Sequence, residues 1–391
     1  MANFKARCQM FKDLFDKDII SITDLQILCF NGIPDSSGYR SLCWKVLLNY
    51  LSTKKSEWPG LLLKQRNLYD TFIDEMIVTP GTMNKTGSRV DVTLEDHPLN
   101  PNPDGKWMAF FKDNEVLLQI NKDVRRLCPD ISFFQQPTDY PCQAIVGRKD
   151  VESLRDRVQQ TVLRSANVTR NRMGITNVSL FKKRAQEEYQ HLSQGQEAHW
   201  EVVERILFLY AKLNPGQSYV QGMNEIIGPI YYTFASDPDP EWRKYAEADA
   251  FFCFTNLMSE IRDFFIKSLD HSTTGIGAMM KRLMDMLQEK DFNLWQRFQA
   301  QDLKPQFYSF RWITLLLSQE FPLPDVIRVW DSLFADKDRF DFLIYVCCAM
   351  ILWLRDKLLH GDFPNNMKLL QNFPNTDIHC LLEKAVELRK R

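Results

Sequence analysis

Two short stretches of the chain resist a purely structural reading. In LLQINKDVRRLCPD, Leu117 to Asp130, Asp123 stands three residues before Arg126. On a helix, a carboxylate one turn ahead of a guanidinium can hold it through a charge-assisted pair and fix its direction, so this spacing predicts an aimed arginine. In NPGQSYVQGMNEI, Tyr219 and Gln221 flank one apolar residue and Gly222 follows at once. Glycine permits close backbone approach, which places the Gln221 amide near whatever touches Gly222. Both features also have plainer assignments. Asp123 and Arg126 can form an exposed i, i+3 ion pair of small value, and Gln221 can serve as an N-terminal contact for the helix that follows.

Other familiar chemistries have no footing. The six histidines are scattered without an HExxH or other ligand spacing, and neither a GxSxG elbow nor a phosphate-cradling GxxxxGK[ST] occurs. No catalytic metal and no nucleotide cofactor of its own is expected. The nine cysteines fall mostly inside apolar or helical runs, not at paired ligand spacings, and read as buried, reduced thiols.

The elements that must position these residues are helical. Val116, Leu117, Ile120, Val124 and Leu127 recur at three- and four-residue steps and form one apolar stripe. Continued as a helix, this segment carries Asp123 and then Arg126 to one side of the stripe and turns Arg125 nearly opposite, into solvent. Phe4 to Phe30 reads as one or two short helices. A helix is expected from near Ser37, another over Ser56 to Glu75, and HWEVVERILFLYAKL forms one that stops at NPGQ. Further helical patterns run over Thr274 to Ala300, Pro305 to Ser318, Pro324 to Phe334, Phe340 to Leu359 and Asp377 to Arg391. Thr79 to Trp107, rich in Pro, Gly, Asn and Asp, reads as a long irregular excursion. Sustained period-two alternation is absent, so the expected fold class is all-α.

Composition agrees with a water-exposed globular chain. The 391 residues carry a formal net charge of −1, with 45% hydrophobic and 25% charged residues, and nothing in that balance calls for nucleic acid. The N-terminus MANFKARCQMFKDLF has no apolar core or cleavage site of a secretory signal, so the expected compartment is the cytosol, with recruitment to membranes left open. The longest apolar run, Phe342 to Leu354, is short of the roughly 20 residues that span a bilayer and reads as a buried helix. From about Gly147 to Ala198 the chain is poor in aromatics and rich in Lys and Arg. It reads as a largely mobile insertion, either a solvated linker or a basic segment drawn to anionic lipid through residues such as Lys182, Lys183 and Arg184.

Taken in order, Ser37 to Leu48 (SGYRSLCWKVLL), Ile120-x-x-Asp123-x-x-Arg126, Tyr219-x-Gln221 and Phe310 to Phe334 (FRWITLLLSQEFPLPDVIRVWDSLF) resemble the motifs of the TBC domain, the GTPase-activating domain for Rab GTPases. Each motif alone is short, but four in order on helical segments make a specific signal that covers roughly Gly32 to Phe340. The resemblance implies an all-α, V-shaped, two-lobed domain over 32–345, preceded by N-terminal helices at 1–31 and followed by C-terminal helices at 346–391 packed on it. It further implies that Arg126 is an arginine finger and Gln221 a glutamine finger, both supplied in trans, with Asp123, Tyr219 and Gly222 in support. The chain would then be no enzyme in its own right but an activator of a GTP-bound Rab in vesicle trafficking, with GTP and magnesium carried by the partner. The rival reading is a non-catalytic Rab-binding scaffold. The chain departs from the family pattern in the long separation of Arg126 from Gln221, which the 147–198 insertion would account for if it loops out.

Overall fold

The computed structural model describes residues 2–35, 37–77, 106–147, 153–159, 192–193, 195–266 and 275–390. Among them the regular structure is helical, relieved only by two isolated β-bridges, Ile19 with Lys54 and Pro137 with Ala198. In chain order the helices are α1 (Ala2–Phe15), α2 (Ile22–Phe30), α3 (Tyr39–Leu47), α4 (Trp58–Met76), α5 (Lys106–Val124), α6 (Gln143–Val146), α7 (His199–Leu213), α8 (Met223–Ala235) and α9 (Pro240–Arg243). They continue as α10 (Ala246–Ile261), α11 (Ile276–Lys290), α12 (Phe292–Ala300), α13 (Ser309–Thr314), α14 (Leu323–Ala335), α15 (Arg339–Trp353), α16 (Arg355–His360), α17 (Phe363–Gln371) and α18 (Ile378–Lys390). The all-α expectation holds. The irregular excursion expected at 79–107 lies outside the described residues up to 105.

Local rules explain most boundaries. Gly38, at φ +76°, supplies the left-handed turn from which α3 starts. The long pattern at 274–300 is two helices, because Asp291 breaks it and caps α12 through its carboxylate and the Leu294 N–H, 3.0 Å apart. The pattern at 340–359 also divides, at Leu354, into α15 and α16, without a side-chain cap. No helix among the described residues is long and apolar enough to cross a membrane.

The chain forms two compact units, one of Met1–Leu62 with Glu225–Arg391 and one of Leu63–Asn224. In the first, α15 carries the apolar run read as a buried helix, and α18 packs along it. Asp331 on α14 is fully buried and gathers the Ile33 N–H at 2.9 Å, the Trp44 indole N–H at 2.8 Å and the Arg40 guanidinium at 3.1 Å. Around it Trp44, Trp330 and Phe334 stack edge and face within 6.0 Å, so both tryptophans are core residues. A second buried pair, Lys45 with Asp249 at 2.9 Å, is completed by the Tyr50 hydroxyl at 2.8 Å.

The second unit is built on α5 lying along α7. Of the stripe, Leu117, Ile120, Val124 and Leu127 are buried and Val116 is half-buried, and they meet an α7 that is buried on nearly every side. Most of the 147–198 insertion lies outside the described residues. The part described does not loop free: 154–159 is a short helical segment in which Leu154, Arg157 and Val158 are buried. Arg157 donates to the Asn114 side-chain oxygen at 2.7 and 3.0 Å, and its guanidinium lies 4.4 Å over the Phe110 ring.

Candidate functional site

All five sequence-selected residues lie in the second unit, and the end of α5 decides how the first of them are presented. The helix does not continue through the arginines as the periodicity implied. It stops at Val124, and the next bonds are of the tighter type, Arg126 N–H to the Asp123 carbonyl at 3.3 Å and Leu127 N–H to the Val124 carbonyl at 3.2 Å. Pro129 is the physical reason: the residue before a proline is disfavoured in the helical region, and Cys128 adopts φ +44° instead. Arg126 therefore projects from a turn, not a helix face, with its side chain 65% exposed, while the Asp123 side chain is 5% exposed.

Asp123 and Arg126 are paired. The Arg126 Nη2 donates to Asp123 Oδ1 at 2.5 Å. Its other oxygen has a partner that the spacing did not reveal, because the Tyr219 hydroxyl donates to Asp123 Oδ2 at 2.7 Å. One buried carboxylate thus joins two motifs 96 residues apart. The Asn224 side-chain oxygen stands 3.3 Å from the same hydroxyl.

The turn carrying Gln221 is held from both sides. After α7, Ser218 N–H returns to the Asn214 carbonyl at 2.7 Å, with Ser218 itself left-handed at φ +58°. Tyr219 is buried, Gln221 is exposed, and Gly222 is buried at φ +105°, a conformation that excludes side chains with a Cβ at little cost only for glycine. Met223 N–H then closes on the Val220 carbonyl at 3.1 Å and α8 begins. The amide of Gln221 is presented to solvent on a turn whose neighbour, Tyr219, is fixed to Asp123.

Arg125 needs correction. Expected in solvent, it is half-buried, its guanidinium 5.7 Å over the Trp200 ring. The early end of α5 turns it toward α7 and away from the helical position that the sequence implied.

Four further polar residues lie in the same unit without having been picked from the sequence. Asn121, buried on the last turn of α5, donates to Glu204 Oε1 of α7 at 2.7 Å. Burial pushes the Glu204 carboxyl up to about 8, partly opposed by the Asn121 hydrogen bond. Farther along, Glu197 pairs with the buried Arg205 and accepts the Cys142 N–H at 3.0 Å. The charged residues Glu201, Glu204 and Arg205 inside the otherwise apolar run WEVVERILFLY were the available signal. Among the described residues no group of three His, Cys, Asp or Glu side chains could hold a metal ion.

With this geometry in place, the comparisons with known proteins are specific. The Rab-GTPase-TBC domain family matches residues 169–359, a stretch that includes Tyr219 and Gln221 and begins beyond Arg126. TBC1 domain family member 13 of Homo sapiens is 59% identical over 98% of both chains. A TBC domain-containing protein of Schizosaccharomyces pombe is 35% identical over 99% of this chain and 73% of its own. The crystal structure of the Ypt/Rab-GAP domain of Gyp1p, at 22% identity, shares the fold with a TM-score of 0.67 over 99% of this chain and 98% of its own. Helical content, motif order and near full-length identity to a named relative converge, and the chain belongs to the TBC domain family.

Proposed function

We propose that this chain is a GTPase-activating protein for a Rab-family GTPase, supplying Arg126 and Gln221 in trans to the partner's nucleotide. Family membership supports the activity in general, and the GTPase-activating protein gyp1 of Schizosaccharomyces pombe, 25% identical over 97% of this chain, points the same way. The observation that carries the two-finger reading is Asp123, whose two oxygens hold Arg126 on one side and Tyr219 of the glutamine turn on the other.

The chemistry fits those residue types. Phosphoryl transfer from GTP asks little covalent help of a protein; it needs charge neutralised on the departing phosphate and a water oriented in line. An exposed guanidinium fixed at its base by a buried carboxylate can reach a partner while losing little further rotamer freedom on binding. Arg126 neutralises, Gln221 orients, and Asp123, Tyr219 and Gly222 position them. GTP and magnesium arrive with the partner. Phosphate release from a panel of GTP-loaded Rab proteins, with and without the chain, tests the reading: at least one Rab is accelerated by orders of magnitude. Tight binding of a GTP-loaded Rab with no acceleration of any would leave the Rab-binding scaffold in its place.

A further inference from the structure

Behind the finger turn sits a polar contact that the proposed chemistry does not use. Glu204 is 1% exposed on α7, and its Oε1 receives the Asn121 side-chain N–H at 2.7 Å. Its Oε2 is buried with no hydrogen-bond partner among the described residues. A carboxylate buried with one oxygen unpartnered is costly, whereas the neutral acid is far less so, and burial accordingly raises this group to about 8. The charged neighbours split in sign. On its own helix are Glu201, itself raised by burial and 3.8 Å from Arg155, and Arg205, which is already paired with Glu197. His199, at the start of the same helix and stacked on Phe133, is lowered by burial to about 4 and is neutral. From α5 and its following turn come Asn121 and the half-buried Arg125.

Asn121 is well placed to pass this on. Its backbone carbonyl accepts the Arg125 N–H at 3.2 Å, the last bond of helical spacing before the turn that carries Arg126, and it stands two residues ahead of Asp123. We propose that Asn121 and Glu204 are a positioning pair that pins the last turn of α5 to α7 and thereby keeps Arg126 and Tyr219 on the one Asp123 carboxylate. This rests on the two-finger reading and extends it. Ionising Glu204 places a buried negative charge beside Arg125 and Asn121, draws the Arg125 guanidinium from Trp200, and turns Arg126 off its aim. Affinity for the partner is little changed, while the rate at saturation falls.

Single-turnover GTP hydrolysis by a responsive Rab, measured from about pH 6.5 to about pH 9 with full-length wild type, Glu204→Gln, Asn121→Leu and Arg126→Ala, tests the pair. The expected result is a wild-type saturating rate that falls through about pH 8, and a Glu204→Gln rate that is within about twofold of wild type at neutral pH and stays level above it. Asn121→Leu loses about tenfold in saturating rate with half-saturation unchanged. Identical pH profiles for wild type and Glu204→Gln, measured on the same Rab, overturn the proposal even if Asn121→Leu fails to fold. If Arg126→Ala retains full acceleration, the finger reading fails whatever Glu204 does. If Arg126→Ala abolishes it and the other two variants behave as wild type throughout, the positioning pair alone fails.

Discussion

At the scale of single residues, the site turns on how Asp123 divides its two oxygens. Replacing Asp123 by Asn keeps the shape but removes the charge that fixes Arg126, and a guanidinium that wanders by an ångström costs about 10²-fold in rate. The expected outcome for Asp123→Asn is therefore a loss of that order in single-turnover hydrolysis with Rab binding retained. Tyr219→Phe removes the 2.7 Å bond to Oδ2 and leaves a buried carboxylate short of a partner. It should lower stability by about 1–3 kcal/mol in a denaturant titration. Gly222 stands at φ +105°, where any Cβ is strained, so Gly222→Ala should cost about 1–2 kcal/mol and disturb the presentation of Gln221. Denaturation midpoints read the first effect and hydrolysis rates the second.

At the scale of elements, α5 lies along α7, and the buried Glu204 bonded to Asn121 at that contact carries a pH dependence. The folded chain holds the Glu204 proton up to about 8, against an ordinary value of 4.5. Between those values the folded state binds more protons than the unfolded one, so stability contributed by this group is complete below about pH 4.5, declines as pH rises, and is gone above about pH 8. Thermal midpoints of Glu204→Gln should lack that decline when subtracted from wild type across the range. Much of this level was legible in the chain. The stripe from Leu117 to Leu127 marked the buried face of α5, and Asp123, Arg126, Tyr219, Gln221 and Gly222 stood out by type and spacing. Pro129 also signalled an early helix end, a local cue outweighed by the run of apolar periodicity. The bond from Tyr219 to Asp123 could not be read, because it joins residues 96 apart whose meeting depends on the packing of α7 against α5. Arg125 over Trp200 and Asn121 on Glu204 were hidden for the same reason.

At the scale of the whole molecule, the chain folds as two compact units, each with its own buried polar contacts. The unit of Met1–Leu62 and Glu225–Arg391 holds its opening and closing motifs together through Asp331, which is fully buried yet hydrogen-bonded to Arg40, Trp44 and the Ile33 backbone. Burial pushes the Asp331 carboxyl up, and Arg40 and these donors pull it back. Asp331→Ala leaves the Trp44 indole N–H and the Ile33 N–H without their buried acceptor and leaves Arg40 only Asp35 and the Ile33 carbonyl, and loss of one partner from a buried pair costs about 3–5 kcal/mol. A fall in thermal midpoint of many degrees checks this, with Asp331→Asn between the two. The aspartate that joins these two segments was hidden in the sequence, since nothing in the spacing ties residue 44 to residue 331.

The most direct test of the account is single-turnover GTP hydrolysis by a responsive Rab with wild type, Arg126→Ala, Gln221→Ala and Arg125→Ala. A finger arginine supplied in trans is worth about 10³ to 10⁵ in rate, so Arg126→Ala is predicted to lose at least about 10³-fold. Gln221→Ala should lose most of the acceleration as well, and Arg125→Ala should keep the larger part. Full activity in Arg126→Ala, or a greater loss in Arg125→Ala than in Arg126→Ala, would contradict the assignment of the finger to the arginine that Asp123 holds.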